Sequence, residues 1–260
     1  MMPLALSDIA RVLGCDRDAA GIEIRDVVTD SRKVTPGCLF AALVGERVDG
    51  HDFAGRAAAS GALALLVERR LDIDVPQLVV GNVLKALGGI AGLVRDRLDP
   101  EVVGITGSNG KTTVKEMLAS ILRLEGSVLS TRGNYNNELG LPLTLFGLEP
   151  KHRFAVLEMG ASKPGDIAYL AQIAKPRVGL VNNIAPAHLE GFGSIEGVAR
   201  TKGEMFSSLP PDGWAVMNAD EPWLDLWHGI SSAGNTITFG AAASSDVRVE
   251  ETMPNGRIVT

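Results

Sequence analysis

Val102-Val103-Gly104-Ile105-Thr106-Gly107-Ser108-Asn109-Gly110-Lys111-Thr112-Thr113 runs straight into Val114-Lys115-Glu116-Met117-Leu118-Ala119-Ser120-Ile121-Leu122. An apolar, β-branched run leads into a glycine-rich loop, and the loop ends in Lys-Thr at the start of a helical stretch. Strand, glycine loop, Lys-Thr and helix is the layout of a phosphate-binding P-loop. Backbone N–H groups at a helix N-terminus converge on one point and favour negative charge there. Glycines let the backbone come close to phosphates. Lys111 adds a point charge, and a hydroxyl from Thr112 or Thr113 can ligate Mg²⁺. The spacing departs from the common G-x-x-x-x-G-K-[ST] pattern, which would require glycine at Ile105. The glycines stand at 104 and 107 instead, so this is a variant read from Gly107.

Outward from the loop, composition narrows the class. With 260 residues the chain holds one large or two ordinary domains. Forty-five per cent hydrophobic and 22% charged residues are the proportions of a soluble globular protein with ample core. A net charge of −6 argues against a general nucleic-acid partner, so an anionic ligand needs local positive charge. Two cysteines, Cys15 and Cys38, make neither a disulfide framework nor a thiolate metal site, and both read as small core residues. The first residues lack a basic segment followed by an apolar run, so no signal peptide is expected. No window reaches the ~18 apolar residues of a membrane span, and a reducing, cytoplasmic setting is expected.

From Glu101 onward the pattern alternates. Strands are expected at 102–105, 127–130, 154–158, 177–183, 213–218 and 236–239. Helices are expected at 111–124, 139–147, 164–174, 194–208 and 221–227. Near-continuous apolar strands such as Phe154-Ala155-Val156-Leu157 suit a sheet covered on both faces, and the alternation implies a mostly parallel, doubly wound sheet. Ligands then sit beyond the strands' carboxyl ends. Val247 to Val259, around Pro254-Asn255-Gly256, reads as an antiparallel hairpin.

Before Glu101 the elements are shorter. Ser7–Leu13 reads as a helix with Ser7 as N-cap and Gly14 as a left-handed stop. Strands are expected at 22–28, 38–44, 63–67 and 78–80, with a helix entered from Asp49 and running through Ala59. Residues 83–98 have helical spacing at Leu84, Leu87, Ile90, Leu93 and Val94. The expected fold is therefore α/β: a small N-terminal domain over 1–82, then a doubly wound, mostly parallel P-loop ATPase domain over 83–260.

Candidate chemistry gathers at strand ends. Glu158 closes an apolar strand level with the P-loop, where a carboxylate can hold Mg²⁺. His188 follows another strand end in Asn182-Asn183-Ile184-Ala185-Pro186-Ala187-His188, where a metal or phosphate role and a structural one stand even. His51, His152 and His228 have weaker cases. Asn134-Tyr135-Asn136-Asn137-Glu138 is either an Asn-rich turn or a polar wall for an oxygen-rich substrate or Mg²⁺. Composition alone does not single out Lys202, which lies inside a helix.

Taken together, the motifs resemble those of the Mur ligases, the ATP-dependent amide-bond enzymes of peptidoglycan synthesis. The residues that carry the resemblance are Gly104 to Thr113, Gly133-Asn134-Tyr135-Asn136-Asn137-Glu138-Leu139-Gly140-Leu141-Pro142, Leu157-Glu158-Met159-Gly160-Ala161, Asn183 to His188 and Thr201-Lys202-Gly203-Glu204, in family order. The family loop, T-G-x-x-G-K-T-[TS], also accounts for the glycine variant. The resemblance implies that Gly107, Ser108, Asn109, Gly110, Lys111, Thr112 and Thr113 bind the ATP phosphates. It implies that Thr112, Glu158, His188 and Lys202 hold Mg²⁺, with a carbamate on Lys202, and that Lys111, Glu158, His188 and Lys202 form the catalytic set. Ser31, Arg32, Asp49 and His51 match segments that cradle a UDP-sugar, and Asn136, Asn137 and Glu138 would line the active site.

The implied reaction joins D-alanyl-D-alanine to UDP-N-acetylmuramoyl-tripeptide through an acyl phosphate, in the cytoplasm, in a monomer with no nucleic-acid or membrane partner. The member that adds the third peptide residue is the alternative, as is a non-catalytic nucleotide- and UDP-sugar-binding fragment. Family members have three domains, and Thr260 falls inside the second as laid out here, so the C-terminal domain is expected to be lacking.

Overall fold

The computed structural model describes residues 1–15, 21–186, 189–248, 251–252 and 258–259. In chain order its elements begin with β1 (Leu4–Ala5), α1 (Leu6–Leu13), β2 (Glu23–Ile24), β3 (Asp26–Val28), β4 (Cys38–Ala41), α2 (Ala54–Ala59), β5 (Ala64–Val67), β6 (Gln77–Val79) and α3 (Val83–Leu98). They continue with β7 (Glu101–Thr106), α4 (Lys111–Leu122), β8 (Ser127–Ser130), α5 (Gly140–Leu145), β9 (His152–Glu158), α6 (Asp166–Ala174), β10 (Val178–Val181), α7 (Leu189–Phe192) and α8 (Ile195–Ser207). The last are β11 (Trp214–Asn218), α9 (Leu224–Ile230), β12 (Asn235–Gly240), β13 (Val247–Arg248), β14 (Glu251–Thr252) and β15 (Ile258–Val259). Among the described residues no helix is long and apolar enough to cross a membrane.

The chain divides into two compact units, Met1–Asp99 with Glu138–Lys151, and Pro100–Asn137 with His152–Thr260. The boundary read at residue 82 lies later, because α3 buries Val83, Leu87, Ile90, Ala91 and Val94 within the first unit. There α3 packs against α1 and against α5, which returns from the later sequence. A run of apolar residues at helical spacing needs a partner surface, and for α3 that surface is the first unit's.

The first unit is built on a parallel sheet, β3-β4-β5-β6. Its core holds Val28, Cys38, Phe40, Ala54, Ala57, Leu65 and Val67. The single strand expected over 22–28 is two strands in two sheets: β2 pairs antiparallel with β1, and β3 enters the parallel sheet. Ser7 does not cap α1. The helix starts one residue earlier, straight from β1, with Ala5 at the cap position and no side-chain cap, while Gly14 does close it in the left-handed region (φ +67°).

The second unit carries a seven-stranded sheet in the order β13-β12-β11-β10-β7-β9-β8. Every pairing in it is parallel. The order reverses at β7, with β9 on one side and β10 on the other, and a crevice at such a reversal is where open α/β sheets place ligands. In register on β7 and β10, Gly104 and Gly179 lie side by side. A β-carbon on Gly179 would stand 2.7 Å from Met205 Cγ, close to the α8 backbone, while one on Gly104 would stand 2.9 Å from Met205 Cε, the movable end of the same side chain, so the seat of α8 depends chiefly on Gly179.

The expected antiparallel hairpin is present over a shorter span than 247–259. Val247–Arg248 joins β12 in parallel, and only Glu251–Thr252 with Ile258–Val259 form an antiparallel pair. Asp246 accepts from the N–H and hydroxyl of Thr238 at 2.8 Å, which ties the chain to the sheet edge just before β13. The Asn-Gly turn lies outside the described residues.

Candidate functional site

The P-loop lies at the reversal in strand order, between the carboxyl ends of β9 and β10. Gly107 (φ +149°) and Gly110 (φ +75°) both occupy backbone regions that side chains rarely adopt. Each is also crowded by Asn182: a β-carbon on Gly107 would be 3.0 Å from Asn182 Cβ, and one on Gly110 would be 2.8 Å from its Nδ2. These two positions therefore require glycine on two independent grounds. Gly110 is the N-cap of α4 and no side chain caps that end. The helix thus offers its first N–H groups, with their partial positive charge, to an incoming anion.

Asn182 and Asn183, at the end of β10, hold the loop. Asn182 Nδ2 donates to the Asn109 carbonyl at 2.8 Å, Asn183 Nδ2 donates to the same oxygen at 3.1 Å, and Asn109 N–H donates to Asn183 Oδ1 at 2.9 Å. Ser108 N–H donates to the Asn183 carbonyl, and Ser108 Oγ sits between Ala185 N and O. Ser108 and Asn109 are thus engaged with the β10 loop, while Thr112 and Thr113 are exposed on the first turn of α4. The β10 loop is itself anchored, since Glu221 Oε1 accepts from Ile184 N–H at 2.8 Å and Asn218 Nδ2 donates to the Asn182 carbonyl at 2.9 Å. Neither asparagine stood out as a site residue in the sequence, although their place right after an apolar strand was a usable signal.

Glu158, 3% exposed at the end of β9, is gripped on both oxygens. Thr112 Oγ1 donates to Oε2 at 2.8 Å, and Asn136 Nδ2 donates to Oε1 at 2.7 Å. Asn136 is in turn fixed by Gly160, whose N–H donates to the Asn136 carbonyl at 2.8 Å. Thr112, Asn136 and Glu158 are therefore brought together. Asn137 and Glu138 are exposed, and Glu138 belongs to the first unit by its contacts.

Two lysines converge on one oxygen. Lys111 Nζ donates to the Gly107 carbonyl at 2.8 Å and to the Ser108 carbonyl at 3.2 Å. Lys202, on α8 and 3% exposed, donates to the same Gly107 carbonyl at 3.0 Å. Burial, with the Lys111 charge second, pulls the Lys202 ammonium down to about 8. The residue that composition passed over is thus a buried cation at the mouth of the loop. His188 lies outside the described residues. Among the described residues no group of three or more His, Cys, Asp or Glu gathers as a metal cage.

In the first unit the expected ligand residues sit at the carboxyl edge of the parallel sheet. Arg32 forms a forked pair with Asp30, Nε at 2.9 Å and Nη2 at 2.8 Å, which together with the Arg32 backbone N–H holds the Asp30 carboxyl well below its usual range. Ser31 is buried and accepts from Arg56. His51 has a fully buried side chain. Its Nε2 accepts from the Glu68 N–H at 2.9 Å, so Nδ1 carries the hydrogen that meets Asp49 Oδ1 at 2.6 Å. With both ring nitrogens occupied, His51 supports the loop, while Asp49 also accepts from Arg69 at 2.8 Å.

The His51 N–H, Arg69 and the His51 ring together depress the Asp49 carboxyl well below its ordinary 3.8. A lowered carboxyl pKa contributes stability above the unfolded value and loses it as pH falls through the acid range. Asp49→Asn is therefore expected to melt below the parent protein at neutral pH. The gap should narrow as pH falls below about 4. Melting curves of both proteins from pH 7 to pH 2.5 test this, and a gap independent of pH would refute it.

Comparison with known proteins agrees with this architecture. The profile of the Mur ligase middle domain matches residues 105–256, and that of the Mur ligase family catalytic domain matches residues 23–124. The UDP-N-acetylmuramoyl-tripeptide–D-alanyl-D-alanine ligase of Escherichia coli K12 is 50% identical over 248 residues, covering 95% of this chain and 55% of that protein. A crystal structure of MurF from Acinetobacter baumannii superposes with a TM-score of 0.92 at 35% identity, over 97% of this chain and 56% of that one. MurF ligase from Thermotoga maritima, solved in complex with ADP, gives 0.79 at 38% identity, over 84% of this chain and 51% of that one. The chain spans about half the length of the curated relatives it matches. With a glycine loop at the reversal of a parallel sheet, and profile matches running from residue 23 to residue 256, the chain belongs to the Mur ligase family.

Proposed function

We propose that this chain carries the UDP-sugar-binding and ATP-binding parts of a ligase that joins D-alanyl-D-alanine to UDP-N-acetylmuramoyl-tripeptide in cytoplasmic peptidoglycan-precursor synthesis. The observation that carries the reading is the meeting of Lys111, Thr112, Asn136 and Glu158 around an uncapped helix N-terminus. The reaction itself is taken from the E. coli relative, whose identity extends over nearly the whole chain. The T. maritima relative was solved with ADP, which supports a nucleotide at this loop.

In this reading the N–H groups at the uncapped start of α4, from Gly110 to Thr113, and the Lys111 ammonium receive the ATP phosphates, while the Ser108 and Asn109 N–H groups are held by Asn183. The γ-phosphoryl group passes to the tripeptide carboxylate, giving an acyl phosphate. The D-alanyl-D-alanine amine then attacks its carbonyl carbon, the amide bond forms and phosphate leaves. The chain supplies position and positive charge, which is most of what phosphoryl transfer needs. Glu158 and the Thr112 hydroxyl are hard oxygen donors beside the phosphate position, a set suited to Mg²⁺, which keeps several waters and shares phosphate oxygens. They would hold the ion, which supplies charge neutralisation. The reading includes a carbamate on Lys202: an amine that gives up its proton near 8 can add CO₂, release a proton and become an oxygen donor. Ser31, Arg32 and Asp49, held by His51, would bind the UDP-sugar.

The test is calorimetric binding of UDP-N-acetylmuramoyl-tripeptide and of ATP to this chain, followed by phosphate release on adding D-alanyl-D-alanine. Binding of the tripeptide precursor in preference to the dipeptide precursor, with release only when both substrates are present, is expected. Preference for the dipeptide precursor would favour the ligase that adds the third residue. Failure to bind either UDP precursor would overturn the reading.

A further inference from the structure

Lys115 is a buried charge that the proposed reaction does not use. It lies one turn into α4 and is 1% exposed. A buried ammonium is costly unless it is hydrogen-bonded and paired. Lys115 Nζ donates to the Thr131 carbonyl at 2.5 Å and pairs with Glu116 Oε1 at 2.8 Å. Glu116 is itself 57% exposed, so an ion pair between these two neighbours needs no buried lysine. The carbonyl is the contact that burial serves.

Thr131 stands just beyond β8 and is 1% exposed. Its N–H donates to the Val156 carbonyl at 3.1 Å, and its hydroxyl accepts from the Glu158 N–H at 3.0 Å. The edge strand thus gains an extra rung through a side chain, and that rung fixes the backbone of Glu158. Thr131 also opens the loop that delivers Asn136 to Glu158 Oε1. Two connections to the carboxylate, one through its backbone and one through Asn136, therefore start at the residue that Lys115 holds.

We propose that Lys115 is a positioning residue, which clamps Thr131 so that Glu158 and Asn136 face the nucleotide's Mg²⁺ in a fixed geometry. The proposal rests on the reading of Glu158 as a Mg²⁺-facing carboxylate. Partners that orient a metal ligand typically change metal affinity 10- to 100-fold when removed.

The experiment measures the affinity of this chain for ADP by calorimetry, with and without Mg²⁺, for the parent protein and for Lys115→Met, Thr131→Val and Thr131→Ser. Hydrogen exchange of residues 131–137 is followed in the same proteins without metal. Lys115→Met and Thr131→Val are expected to keep Mg²⁺-free ADP affinity within about twofold, because the loop backbone and Lys111 are untouched. Both should lose about tenfold of the Mg²⁺-dependent gain and exchange faster over 131–137. Thr131→Ser, which keeps the hydroxyl, should restore parental behaviour. An unchanged Mg²⁺ gain in Thr131→Val, or equal losses with and without Mg²⁺, would overturn the proposal even if Lys115→Met does not fold. A parent protein that binds ADP without any Mg²⁺ gain removes the reading of Glu158, and the proposal with it. One with a normal gain that the variants keep refutes the positioning role alone.

Discussion

Lys111→Ala is expected to weaken ATP binding by at least about tenfold and to lower phosphate release by about 10²–10³, the usual cost of removing one preorganised charge stabiliser. The expectation follows from placement. The ammonium is anchored on the Gly107 and Ser108 carbonyls, in the loop that leads into the uncapped start of α4. It is only half buried, and its partners are main-chain oxygens that water can serve, so the fold should survive its loss. Calorimetric affinity and phosphate release, read beside a melting curve, separate the two effects. Parental affinity in a folded Lys111→Ala protein would remove the lysine from the phosphate site. Lys111→Arg should not restore function, because a planar fork cannot take the compact position of an ammonium.

Trp227→Ala is expected to cost about 3–5 kcal/mol, the range for deleting a large buried aromatic. Trp227 is fully buried, its Nε1 donates to the Ala199 carbonyl at 3.1 Å, and its ring meets Phe206 edge-on at 5.7 Å between centroids. It also packs against Gly203, where a β-carbon would be 2.8 Å from the indole. All three contacts are on α8, the helix that bears Lys202, so the loss concerns the seat of that lysine as well as stability. Urea denaturation of the parent, Trp227→Ala and Trp227→Phe measures this. Phe should recover part of the loss, since it refills volume but forfeits the indole N–H bond to the Ala199 carbonyl. A cost below about 1 kcal/mol for Ala would mean that α9 collapses into the space.

The sequence announced what is decided over short range. The P-loop, the strand ending at Glu158 and the alternation that builds the parallel sheet all depend on neighbours within about a dozen residues, and they stand where they were read. What sequence reading missed depends on distant pairing. The break between β2 and β3 arises because Ile24 and Val28 answer to different sheets. Ser7 lost the cap position because β1 feeds directly into the helix. Val247–Arg248 was drawn to an open parallel edge where a hairpin was expected. The grip of Lys115 on Thr131 joins a helix to a strand end, and a lysine on an amphipathic helix gives no sign of being buried. Lys202 is the same case, invisible to composition and placed only by how α8 lies on the sheet.

That last point turns on Gly104 and Gly179. Side by side on adjacent strands, they leave the sheet bare under Met205. The missing methyl group at Gly179 lets α8 lie low on the strands, that at Gly104 leaves room for the end of Met205, and a lysine side chain of fixed length can then span from the helix to the Gly107 carbonyl. The reach of the buried cation is thus set from below, by two residues that never touch it. A bulkier floor would leave the same lysine short of the loop while every residue around the loop stayed the same.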